Sequence, residues 1–205
     1  MTKNGRKLIL VRTDLLEKAA RITAKEGKTL FAFTNEAFER AIEAYDAEVT
    51  LAEVLEFYQM MKTGKSLNYI AIPCSILNNM AKKLYAIERE KTLNEWYESG
   101  LWNGNYLSLR FQDRNKLEVV KSFMKASMWN LDEFIVNVEN DRTQVKCFSP
   151  NLDLECVEML ARFLRGVFNS LGYVVRDNKC LRGIVIMELE GEKPDRTPIK
   201  HPLQI

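Results

Sequence analysis

"KLILVRTDLLEKAARITAKEGKTLFAFTNEAFERAIEAY", residues 7–45, decides how the rest of the chain is read. It opens on a run of four apolar residues, Leu8-Ile9-Leu10-Val11, and passes into two stretches with apolar side chains at helical spacing. In the first, Leu15, Leu16, Ala19, Ala20 and Ile22 recur, with Asp14 placed to cap the helix and Gly27 to end it near Glu26. In the second, Phe33, Ala37, Phe38, Ala41, Ile42 and Tyr45 recur behind Thr29 as N-cap. The apolar run is a strand candidate. One short strand has no sheet of its own, and two short helices have no core of their own. Something must complete them.

Downstream, Thr50 is placed to cap a helix over "LAEVLEFYQMMK" that Gly64 stops, and "SLNYIAI" reads as a short strand or an extended link. Pro73 suits the first turn of "PCSILNNMAKKLYAIERE", and a further helix, "TLNEWYESG", has Gly100 beyond its end. From residue 104 the pattern turns to a strand, "NYLSLRF", then a helix, "NKLEVVKSFMKAS", with Leu117, Val120, Phe123 and Met124 on one face. "FIVNVEN" and "TQVKCFS" read as strands flanking a turn at Asp141-Arg142. The helix "LDLECVEMLARFLRGVFNSLGY" then ends at Gly172, and "CLRGIVIMELE" closes with a strand. This βαββαβ order is the split βαβ arrangement of ferredoxin-like domains. The last fifteen residues, "GEKPDRTPIKHPLQI", hold three prolines and read as an irregular tail.

Composition excludes more than it assigns. The 205 residues are 46% hydrophobic and 28% charged, ordinary for a globular protein, with a net charge of +2 that signals no nucleic acid globally. Locally the balance differs: residues 1–28 hold eight basic and three acidic side chains, a net +5. No run approaches the roughly 18 apolar residues of a membrane span, and "MTKNGRK" leads into too few apolar residues for a signal peptide. Cys74, Cys147, Cys156 and Cys180 contain no CxxC pair, as expected of reduced thiols in a cytoplasmic protein.

The opening stretch resembles a ribbon-helix-helix domain, the small DNA-binding unit of many prokaryotic repressors. The marks are the strand candidate at 7–12, "LLEKAARITAKEG", and "GKTLFAFTNEAFERAIEAY", over about 45 of the 205 residues. The resemblance implies a homodimer in which two chains pair their strands into a ribbon that enters the major groove of duplex DNA. It implies charge from Arg6, Lys7 and Arg12, outward positions at Arg6, Leu8 and Leu10, and a phosphate clamp at Lys28 and Thr29, where a helix begins. Shifting the register by one residue puts Lys7, Ile9 and Val11 outward instead. Either register presents two aliphatic side chains where bidentate hydrogen bonding normally reads bases. A ribbon kept only for dimerisation is the alternative.

The expectation is therefore an α+β protein: an N-terminal ribbon-helix-helix over 1–48, a helical middle over 49–103, a ferredoxin-like domain over 104–190 and a tail over 191–205. The expected function is a dimeric DNA-binding regulator whose C-terminal part senses a small-molecule ligand or mediates assembly. The same order of domains occurs in nickel-responsive repressors, but their histidine ligands are missing, so nickel is not carried over. Catalytic sets are scarce. The single histidine, His201, lies in the proline-rich tail, and neither GxxxxGK[ST] nor GxGxxG occurs. Gly64-Lys65-Ser66 lacks the upstream glycine of a phosphate loop and reads as a turn. No catalytic residue, cofactor or metal site is expected, although Cys147, Cys156 and Cys180 could meet in a small sheet domain. Trp96, Tyr97, Trp102 and Tyr106 form a dense aromatic cluster, either domain packing or the lining of a ligand pocket.

Overall fold

A computed structural model describes residues 5, 7–128, 130–139 and 142–191. The chain divides into two compact units, Met1–Leu55 and Glu56–Ile205.

In the N-terminal unit, residues 7–12 form no strand, and helix α1 (Thr13–Glu26) leads instead. This overturns the ribbon-helix-helix expectation. A strand exists only where another backbone completes its hydrogen bonds, and the sheet of this chain is built wholly from residues 133–191. Leu8 and Leu10 are each 93% exposed, and Ile9 and Val11 are exposed beside them. The two helices are close to expectation. Asp14 sits inside the first turn of α1, Arg12 takes the cap position, and Gly27 ends the helix at φ 66°. Helix α2 (Leu30–Asp46) starts where the Thr29 hydroxyl accepts the Ala32 N–H at 3.1 Å. Helix α3 (Leu51–Ser66) opens on a capping box: Thr50 Oγ1 accepts the Glu53 N–H at 3.2 Å, and Glu53 accepts the Thr50 N–H at 2.7 Å. Gly64 does not stop α3; it lies buried in the last turn.

The C-terminal unit holds the core. Helix α4 (Cys74–Arg110) runs 37 residues, with one non-helical residue, Glu88, at a kink. Two expectations fail here. Gly100 does not end a helix, and the strand read into "NYLSLRF" is the last turns of α4. The reason is tertiary. A Cβ on Gly100 would sit 2.0 Å from the Phe163 carbonyl oxygen, and one on Gly104 would sit 2.7 Å from that of Val167. These glycines let helix α6 (Leu154–Ser170) lie backbone to backbone on α4.

Helix α5 (Lys116–Ser127) starts with Asn115 Oδ1 accepting the Glu118 N–H and buries Val119, Val120, Phe123 and Met124. Strands β1 (Glu133–Glu139) and β2 (Arg142–Phe148) pair antiparallel, with Glu139 opposite Arg142. Asp141, half of the expected turn, lies outside the described residues. After α6 come β3 (Tyr173–Leu181), a strand the sequence reading missed, and β4 (Ile184–Gly191), joined through Gly183 at φ 74°. The sheet order is β1-β2-β4-β3 with every neighbour antiparallel. A ferredoxin-like domain is built in the order βαββαβ, whereas the strands here come as two antiparallel hairpins joined by α6, in the order ββαββ, so that expectation is also overturned. One sheet face is apolar: Phe134, Cys147 and Val185 align across three strands, as do Val136, Val145 and Met187, then Thr143, Leu189 and Val175. α6 packs against both this sheet and α4, which is why ten of its seventeen residues are buried. Among the described residues no helix is long and apolar enough to cross a membrane.

Candidate functional site

Two surfaces invite function, one in each unit. In the N-terminal unit only Thr23 and Ala44 are buried among the described residues. Ala19, Leu30, Phe33 and Ala41 are half-covered. The remaining apolar side chains of the expected stripes stand open: Leu15, Leu16 and Ile22 on α1, and Phe38, Ile42 and Tyr45 on α2. Two buried side chains are little interior for a unit of 55 residues. Its charge is also divided. Against the net +5 of residues 1–28, residues 29–55 hold one basic and six acidic side chains, a net −5.

The residues expected to meet DNA are dispersed in role. Lys7 is exposed beside the uncovered leucines, and Arg6 lies outside the described residues. Arg12 makes a two-pronged ion pair with Asp14, Nε–Oδ1 3.0 Å and Nη2–Oδ2 2.7 Å. Lys28 holds Glu36 at 3.0 Å and Glu26 at 3.3 Å, which raises its pKa through the Glu36 hydrogen bond first. Thr29 spends its hydroxyl on the α2 cap. The pairs of Arg12 and Lys28 are open to water, so a phosphate could displace the carboxylates at small cost.

In the C-terminal unit an apolar cavity of about 610 Å³ opens between the end of α3, the link through Ile70, Ala71 and Ile72, and the start of α4. A second, of about 310 Å³, continues it toward Trp96, Met159, Leu160 and Phe163, and the two share Tyr69, Ile70, Ile72, Leu77, Ser127 and Asn130. The walls are mostly apolar. Ser127 Oγ is buried there without a hydrogen-bond partner among the described residues, the kind of orphan that a bound polar group satisfies. Burial raises the Tyr69 phenol pKa and keeps it protonated, a second donor at the same wall.

The aromatic cluster is split by helix geometry. Successive positions on α4 point about 100° apart. Trp96 lines the cavity and meets Phe163 edge-on at 6.4 Å. Tyr97 lies on another face, where its hydroxyl accepts from Asn169 Nδ2 at 3.1 Å. Trp102 is exposed and stacks on Tyr106 at 5.8 Å. Only the first of the four belongs to the apolar cavity. Sequence reasoning missed Tyr69, Ile70 and Ile72, although an apolar link between two helices was their visible signal.

All four cysteines are free, and no cluster of three histidine, cysteine or acidic residues able to hold a metal occurs among the described residues. Burial raises the pKa of Cys147, and burial together with the Asp153 and Glu155 carboxylates pushes Cys156 up to about 11. Both are thus protonated at neutral pH, and the thiolate is the reactive form. In the folded protein Cys147 and Cys156 are expected to resist iodoacetamide at neutral pH and to react after denaturation, read by mass spectrometry of the peptides. His201 lies outside the described residues.

No family model, curated relative or solved structure matches this chain. Function therefore rests on its own chemistry.

Proposed function

We propose that this chain is a homodimeric DNA-binding regulator of the cytoplasm, assembled through its N-terminal unit, with the apolar cavity of its C-terminal unit taking a small ligand. One observation carries the reading. The N-terminal unit exposes an apolar surface around Leu8 and Leu10 and along α1 and α2, beside a strongly basic segment. A second copy is the occupant that suits this surface. A two-fold axis buries the same apolar patch of both copies at once. Lys7, Arg12, Lys18, Arg21 and Lys25 then supply charge for a phosphate backbone. A ligand in the cavity regulates binding only if it favours one arrangement of the dimer over another. Free cysteines suit a reducing compartment.

The test is binding to mixed-sequence duplex DNA across a salt series, beside Arg6→Ala/Lys7→Ala/Arg12→Ala. The expected result is salt-sensitive binding whose slope in log K against log salt flattens in the variant by up to about three phosphate contacts. A second reading, an assembly module that does not touch DNA, is favoured by the commitment of Arg12 to Asp14 and of Lys28 to Glu26 and Glu36. Absence of binding even at low salt would select it.

A further inference from the structure

A polar pocket of about 540 Å³ lies in the C-terminal unit between α4, α6 and β3, apart from the apolar cavity. Arg162 and Arg165 of α6 both line it, together with Asn94, Tyr97 and Asn169. The two arginines are three positions apart on one helix, so their side chains rise from the same face. Both are half-buried, and neither is in an ion pair among the described residues.

Four other arginines of this unit are matched, while Arg110 and Arg142 are in no ion pair among the described residues. Arg89 holds Glu158 and Glu90, Arg114 holds Glu56, Arg176 holds Glu190 and Arg182 holds Asp153. Two acids on the helices around the pocket are engaged in this way. Glu90, which also lines the pocket, sits 2.9 Å from Arg89. Glu158, one turn before Arg162, binds Arg89 at 2.7 Å and accepts the Tyr85 hydroxyl. Two guanidinium groups drawn partly out of water in one pocket, neither of them in an ion pair, are costly. An anion entering the pocket removes that cost.

We propose that this pocket binds the phosphate group of a small molecule. Each guanidinium presents a planar fork of donors suited to two oxygens of a phosphate. Asn94, Asn169 and the Tyr97 hydroxyl add neutral donors at the same place, and the Asn169–Tyr97 hydrogen bond holds two of them in register. Val174 and Val175 form an apolar wall, which suits the carbon skeleton of a phosphomonoester better than free phosphate. The site is independent of the N-terminal unit and of the proposal made for it.

The experiment is calorimetric titration and thermal unfolding of the full chain with inorganic phosphate and, separately, phenyl phosphate, against chloride at matched ionic strength. Wild type is expected to bind both, phenyl phosphate more tightly, and to melt higher with either. Arg162→Gln/Arg165→Gln is expected to lose at least tenfold in affinity and to lose the rise in melting temperature, whereas Lys7→Ala/Arg12→Ala keeps both. In phosphate-free buffer the double glutamine variant is expected to melt at or above wild type, because it removes two unmatched charges. The single variants Arg162→Lys and Arg165→Lys keep the charge without the fork and are expected to bind between the two extremes. Failure of wild type to bind either anion, equal affinity in the glutamine variant, or a lower melting temperature of that variant without phosphate would each overturn the proposal.

Discussion

Gly166→Ala is expected to destabilise the C-terminal unit by about 3 kcal/mol. The added Cβ would lie 2.1 Å from the Tyr97 carbonyl oxygen and 2.7 Å from the Leu101 backbone nitrogen. Both obstacles belong to the backbone of α4, which cannot rotate away as a side chain would. α4 and α6 must separate, and the buried layer of Phe163, Leu164, Val167 and Phe168 loosens with them. Alanine raises helix propensity over glycine by about 1 kcal/mol, so the net loss reads as steric. Gly64→Ala is the internal comparison. Its Cβ would meet Ser127 Oγ at 3.5 Å and Tyr69 Cβ at 3.8 Å, ordinary contacts. That variant is expected to gain up to about 1 kcal/mol from propensity alone. Urea unfolding followed by circular dichroism measures both. Equal effects in the two variants would contradict the close approach of α4 and α6.

Leu8→Ser/Leu10→Ser is expected to raise the dissociation constant of the proposed dimer at least about 100-fold. Each leucine is 93% exposed in the single chain, so the substitution removes nothing that holds one copy together. Covering a leucine fully contributes about 1.5–3 kcal/mol, and a two-fold dimer covers four. If only a third of that survives the costs of association, the loss is about 3 kcal/mol, or two decades. Sedimentation equilibrium reads the constant directly. Helices α1 and α2 have 14 and 17 residues, near the length where isolated helices become marginal. Far-ultraviolet circular dichroism is therefore expected to show helix loss on dilution of wild type, and at higher concentrations in the variant. A wild type that stays monomeric throughout would remove the basis of the proposed assembly.

The errors in reading the sequence share one physical origin. Gly100 and Gly104 carry the same local signal whether a helix stops or another helix presses on it, because only the neighbour distinguishes the two. "NYLSLRF" alternates in a short window but continues a helix whose buried face includes Asn103, Gly104 and Leu107. β3 went unread because Arg176, Asp177, Asn178 and Lys179 interrupt its apolar pattern; its register also shifts between Val175 and Asp177, and its strand character comes from pairing with β4. The apolar run at 7–11 has β propensity but no strand partner among the described residues of its own chain. Of the candidate site, Trp96 was legible as an aromatic near a domain junction. Arg162 and Arg165 looked like two surface charges on a helix, since nothing local shows that the carboxylates around them are taken.

The chain by itself determined what depends on residues a few positions apart. The Thr29 and Thr50 caps, the end of α1 at Gly27, the amphipathic runs of α5 and α6, and the hairpin partners β1 and β2 all arise from local hydrogen bonding and periodicity. Tertiary structure alone decided that α4 is one long kinked helix, that the sheet runs β1-β2-β4-β3, and that two arginines share a pocket whose one lining acid, Glu90, is paired with Arg89. Those outcomes depend on which backbones and charges meet across many residues, and the energy of such a meeting is written in no single stretch of sequence.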